Sequence, residues 1–333
     1  MTKDSSEAAT PPPSAARAAG DYGHPAPRRR VLLPAVLLAA TCWSTFYTGS
    51  LHWIPRFDGQ MLHRAADAFA QSWQAGQYGA AVPRAMAAMT GDWQSGLVYM
   101  GAVMAILLTH EMGHFLMALR HRIPASLPFF IPLPILPFGT MGAVIGMQGS
   151  EADRRETFDL GIAGPLAGLA VAVPLTWLGV QQLAVNPPPG FGPPLQNPLI
   201  FRLLIEQLQP NFPDPTVLYL NQFNPMLMAG WVGMLVTGLN MLPVSQLDGG
   251  HVAYALFGRR AHSLARGLIV AAIVAILVWE AYMWVVMLVL VILLGADHPP
   301  TADDRARLGW PRRLLGYAAL VIPVLCFPPM RLT

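Results

Sequence analysis

Long apolar bands dominate the pattern of this chain, and their length is the first informative feature. They run from Val31 to Ser50, Leu97 to Leu119, Phe158 to Leu183, Met226 to about Phe257, Gly267 to Leu294 and Leu314 to Phe327. Most approach the ~20 residues that a helix needs to cross a bilayer. The pattern therefore predicts an all-α polytopic membrane protein. The Gly267–Leu294 band admits two readings, one long tilted helix or two shorter helices turning at Glu280.

Charge distinguishes them. Arginines cluster at Arg28 to Arg30, at Arg120 and Arg122, at Arg154 and Arg155, at Arg259, Arg260 and Arg266, and at Arg305, Arg307, Arg312 and Arg313. If every cluster is cytoplasmic, an even number of crossings separates the last two. Glu280 then sits at an external turn flanked by Trp279, Tyr282 and Trp284. The count becomes about seven transmembrane helices, with a cytoplasmic amino terminus and an external carboxyl terminus. Leu51–Gly96 and the Pro- and Asn-rich Val185–Pro225 fall outside, the second as a loop.

Composition agrees with the class. Of the 333 residues 54% are hydrophobic and only 12% charged, against about 25% charged in a typical soluble domain. The net charge of +3 is small and scattered, which argues against nucleic acid as a partner. Cys42 and Cys326 lie far apart inside apolar runs, so they read as packing residues and offer no disulfide framework. Residues 1–30 have too few large apolar side chains to fold and read as a disordered cytoplasmic tail. The band behind Arg30 is long for a signal peptide and reads as an uncleaved first helix. Four regions follow: the tail 1–30, a first helix and external segment 31–96, a membrane core 97–258, and carboxyl-terminal helices 259–333. The location expected is a multi-pass position in a membrane, a bacterial inner membrane in the first instance.

One apolar stretch cannot be a lipid-exposed helix. Between Pro124 and Gly146 lie five prolines and three glycines, and backbone groups freed from helical bonding need partners at membrane depth. A re-entrant loop with a short β-ribbon around Gly139 to Gly149 answers that need. A loop lying in the headgroup layer is the alternative.

The chemistry concentrates in two places. In His110-Glu111-Met112-Gly113-His114 two histidines four residues apart share one helix face and can reach one metal, and the adjacent Glu111 is placed to take a proton from water activated there. Ionisable groups in an apolar helix cost about 2.5–3.5 kcal/mol each on insertion scales, so three in five positions call for a compensating cation. Zinc suits imidazole and carboxylate ligands, and it ordinarily takes a third protein ligand. Asp248, between Pro243 and the pair Gly249-Gly250 in an apolar band, is the candidate, on a broken helix that turns it inward; a helix cap is its plainer reading. His251 reads as a supporting or packing residue rather than a ligand. Asn240 is placed to donate to a developing oxyanion, with an interhelical hydrogen bond as the alternative. Gly161, Gly164 and Gly168 recur at the spacing of close helix packing.

Together His110-Glu-Met-Gly-His114, Gly139-Thr-Met-Gly-Ala-Val-Ile, Phe158-Asp-Leu-Gly-Ile-Ala-Gly-Pro-Leu-Ala-Gly168 and Asn240…Pro243…Leu247-Asp248-Gly249 resemble the site-2-protease family of intramembrane zinc metalloproteases, most of all the bacterial and plastid branch without a PDZ domain. The resemblance runs from about Leu97 to Pro300 and takes in the Arg-Arg pair before Phe158 and His298-Pro-Pro-Thr. It implies one Zn2+ held by His110, His114 and Asp248, Glu111 as catalytic base, Asn240 near the scissile carbonyl, and transmembrane proteins as substrates within the lipid bilayer. Oligomeric state and substrate identity are not encoded in any motif. A transporter or proton conduit built on the same buried polar cluster, and a non-catalytic membrane scaffold, are the competing classes.

Overall fold

The computed structural model describes residues 31–53, 60–82, 84, 92–134, 137–146, 152–184, 194–280, 284–293, 295 and 297–328. The tail 1–30, residues 147–149 of the expected Gly139–Gly149 ribbon, and Tyr282 lie outside the described residues. Helices account for most of the rest. In chain order they are α1 (Leu32–Ser50), α2 (Gln60–Gln74), α3 (Trp93–Arg120), α4 (Arg154–Gln181), α5 (Leu199–Leu208), α6 (Pro225–Asn240), α7 (Asp248–Phe257), α8 (Arg260–Val278), α9 (Val285–Leu293), α10 (Trp310–Ala319) and α11 (Ile322–Cys326). Four of them, α1, α3, α4 and α8, are long and apolar enough to cross a membrane. Large apolar side chains stand exposed along these helices, among them Leu116, Val270 and Leu277. An apolar exterior of this kind is what lipid, not water, accommodates, and the chain is read as an integral membrane protein.

Helices α3, α4 and α6 pack together as the centre, with α1 and α7 against them. Each end is fixed locally. Asp92 caps α3 by accepting from Gln94 N and Ser95 N, and its hydrogen bonds to Ser95 hold the carboxyl below the usual carboxylate range. Asp153 and Glu156 form a capping box at the start of α4. Asn224 caps α6, accepting from Leu227 N at 2.9 Å while donating to the carbonyl of Gly179 at 2.8 Å, which ties the start of α6 to the end of α4.

The Pro-rich stretch forms a hairpin. Strand β1 (Phe129–Leu133) pairs antiparallel with β2 (Gly139–Val144). The expectation had placed a ribbon near Gly139 without identifying its partner. Pro132 obscured it, since proline suits a sheet only at an edge or an irregularity; here the register shifts between Phe130 and Pro132. The hairpin lies against α1. Ser44 donates to the carbonyl of Gly139 at 2.5 Å, and Gly139 takes φ +72° with α1 backbone so near that a Cβ would meet the Ser44 carbonyl at 2.9 Å.

Two bands divide where expected: the Met226–Phe257 band breaks before Asp248 into α6 and α7, with a turn over residues 241–247, and the Gly267–Leu294 band is two helices, α8 and α9, with Glu280 between them at φ +53°. The expectation for the last band changes. The Leu314–Phe327 band is no single span: α10 and α11 have 10 and 5 residues, because Pro323 has no N–H to continue the ladder. The Val185–Pro225 segment, expected as a loop, holds structure from residue 194 on: the helix α5 and a pair of strands, β3 (Pro194–Gln196) and β4 (Val217–Tyr219).

Candidate active site

Helix α3 brings His110, Glu111 and His114 into the interior, each no more than 5% exposed. Helix α7 begins with Asp248 itself, so the carboxylate enters at the first turn after the break and caps nothing. The break is stereochemically enforced. A Cβ on Gly249 would collide with the carbonyl of Met241 and meet that of Leu242 at 2.6 Å, and one on Gly250 would collide with Ser245 O. Only glycines let α7 start directly beneath the turn that ends α6.

The ligand atoms then converge. His110 Nε2 and His114 Nε2 lie 3.2 Å apart, and Asp248 straddles them with Oδ2 3.3 Å from His110 Nε2 and Oδ1 3.3 Å from His114 Nε2. Atoms bound at about 2.0–2.1 Å around a tetrahedral zinc stand roughly 3.3 Å from one another, so each of these separations has the length of one edge of such a site. The protons point the same way. His114 Nδ1 faces the carbonyl of Leu160 at 2.8 Å; a carbonyl only accepts, so the proton sits on Nδ1 and a neutral ring turns the lone pair of Nε2 inward. Asp248 Oδ2 is buried without a hydrogen bond of acceptable geometry. Among the described residues these three are the set of histidine and acidic side chains that can hold a metal ion. Converging acceptors at a tetrahedral-edge spacing fit a divalent cation.

Helix α4 backs the site with the expected small residues. A Cβ on Gly164 would overlap the His114 ring, and one on Gly168 would stand 3.1 Å from His110 Nδ1. A cavity of about 440 Å³ opens in front, lined by His110, Glu111, His114, Asn240, Asp248 and His251 with Ala143 and Val144 of β2. Asn240, the last residue of α6, therefore reaches the same cavity as Glu111. His251 is not in the metal-compatible group; its Nδ1 is 2.7 Å from His298 Nε2.

The stretch 98–280 matches the sequence model of peptidase family M50. The chain belongs to peptidase family M50. All five candidate residues fall inside that stretch, while His298 lies beyond it. Among curated M50-like relatives, "Probable zinc metalloprotease EGY1, chloroplastic" of Arabidopsis thaliana is 29% identical over 243 residues, which is 68% of this chain and 42% of the relative. Its namesake in Oryza sativa subsp. japonica is 33% identical over 177 residues, 50% of this chain and 29% of the relative. "Probable zinc metalloprotease EGY2, chloroplastic" of Arabidopsis thaliana is 29% identical over 194 residues, 55% and 33% respectively. The chain spans less than half the length of these relatives. No solved structure matches it significantly.

Two groups that support the M50 site were quoted in the sequence motifs but given no role there. Arg154 donates to the carbonyls of Ala255 at 2.6 Å and Leu256 at 3.2 Å, closing the end of the helix that begins with Asp248. Asp159, within the Phe158-Asp-Leu-Gly motif, takes a bidentate pair of hydrogen bonds from Arg312 at 2.7 and 2.9 Å and faces His121 Nε2 at 3.1 Å. It fastens the end of α3 to α4 and α10. Arg154 was legible as a topogenic charge and as part of the Arg-Arg pair of the resemblance, but its partners, backbone carbonyls about a hundred residues away, were not.

Proposed function

We propose that this chain is an intramembrane zinc metalloprotease that hydrolyses peptide bonds in or near transmembrane segments of other membrane proteins. The convergence of His110, His114 and Asp248 on one point carries the reading. His110 and His114 would hold Zn2+ from α3 and Asp248 would hold it from α7. When bound there, zinc would supply a Lewis acid that brings the pKa of water from ~15.7 towards ~7 and polarises a carbonyl. The Glu111 carboxylate accepts the proton of the attacking water and returns it to the leaving amine. The Asn240 side chain donates to the oxyanion of the scissile carbonyl.

A membrane-spanning substrate must unwind first, because its carbonyls are bonded within its own helix. Ala143 and Val144 of β2 line the cavity, so the free edge of the hairpin can pair with an unwound segment and replace bonds lost on unwinding. The arginine clusters support an even number of crossings between Arg266 and Arg305 and an amino terminus in the cytoplasm, and residues 97–258, which carry all five candidate residues, are the proposed catalytic membrane core. A conduit would need polar groups but not ligand atoms at the edge spacing of a zinc site, and a scaffold would need neither.

Replacing Asp248 with alanine tests the reading. Detergent-purified Asp248→Ala is expected to lose nearly all its zinc and its cleavage of a membrane-embedded peptide, since two imidazoles leave the metal short of its usual three protein ligands. Zinc retained at the wild-type ratio, measured by atomic absorption, would remove Asp248 from the site.

A further inference from the structure

His298, in the His298-Pro-Pro-Thr sequence, is only 7% exposed and has no part in the scheme above. Its Nδ1 lies 2.5 Å from the carbonyl of Pro299. That acceptor places the proton on Nδ1, so a neutral His298 presents the lone pair of Nε2. His251 Nδ1 is 2.7 Å from that Nε2, too short for the ~3.3 Å edge of a shared zinc site and within hydrogen-bonding distance. His251 therefore donates from Nδ1, and its own lone pair resides on Nε2. The ring stands one helical turn after Asp248 and lines the same cavity as Glu111. Tyr254 stacks on His298 with centroids 4.5 Å apart and donates to Asp304 at 3.0 Å, so the segment bearing His298 is held against α7 from two sides.

We propose that His251 is a substrate-contacting residue whose neutral Nε2 accepts a backbone N–H of the unwound peptide, and that His298 is the positioning residue that fixes its tautomer. Unwinding a substrate helix releases N–H donors in a buried cavity, where an unpaired donor is costly. His251 offers an acceptor outside the metal-compatible group. The carboxyl-terminal region thereby contributes to the active site through one hydrogen bond.

This inference rests on the proteolytic reading, and the test separates the two. The probe is a quenched fluorescent peptide with about 20 apolar residues interrupted by Asn-Pro, reconstituted in detergent with the full chain. His251→Leu and His298→Leu are each expected to lower kcat/KM roughly tenfold, the scale of one hydrogen bond to a buried group, with zinc content and the visible spectrum of the cobalt-substituted protein unchanged. His298→Gln retains a donor and an acceptor and is expected to recover most of the loss. Wild-type kcat/KM in His251→Leu, loss of zinc in that variant, or a His298→Gln as impaired as His298→Leu overturns the inference while leaving the protease reading intact. Absence of zinc-dependent cleavage by the wild type overturns both.

Discussion

Glu111→Gln is expected to abolish cleavage while the protein keeps its zinc. The substitution preserves the size of a side chain that is 4% exposed on the same helix face as the histidines, so the triangle of His110, His114 and Asp248 is not disturbed. It removes the only change that matters to a base, the ability of the carboxylate to take up a proton. A positioned general base contributes about 10²–10⁴-fold, so product from a reconstituted transmembrane peptide should fall at least to the lower end of that range. Zinc measured in the same preparation should match the wild type. A variant that cleaves at an undiminished rate would take Glu111 out of the chemistry, and a zinc-free variant would mean that the carboxylate holds metal.

Gly164→Ala should be nearly as damaging, by a wholly different route. The added methyl would fall on the His114 ring, overlapping Nε2 and lying 2.5 Å from Cε1. The ring has nowhere to retreat, since Nδ1 is bonded to the carbonyl of Leu160 on the same helix as Gly164. Either α3 and α4 move apart or the imidazole leaves the triangle, and both separate the ligand atoms. Loss of most bound zinc and of activity is expected, with a destabilisation of about 1–3 kcal/mol typical of overpacking. Gly101→Ala, on the same helix as His114 but with nothing within 4 Å of its Cβ, serves as the control and should leave zinc and cleavage unchanged. A Gly164→Ala protein with wild-type zinc and turnover would show that the helices can part without cost.

The two substitutions separate kinds of information. Glu111 is identifiable from its neighbours in sequence, because an α-helix fixes which side residues 110, 111 and 114 occupy. Gly164 reads as a packing residue from its spacing with Gly161 and Gly168, but what it packs against is a property of the assembled helices. The same holds for Asp159 and Arg312, 153 residues apart, whose ion pair no periodicity reveals.

By itself the sequence determined the helical membrane class, the imidazole pair with its carboxylate neighbour, the break before Asp248 and the non-helical stretch near Gly139. These follow from local rules: apolar length sets a span, a four-residue spacing sets a face, and proline and glycine end a ladder. Only the tertiary structure decided that Asp248 meets both imidazoles at 3.3 Å, that Phe129–Leu133 is the partner of the Gly139 strand, that the last apolar band divides into two short helices, and that His298 reaches His251. Those are meetings between segments distant along the chain, or outcomes of competition between neighbouring residues. They are set by which surfaces can approach once glycines clear the way, and pattern along a single strand of sequence does not contain that.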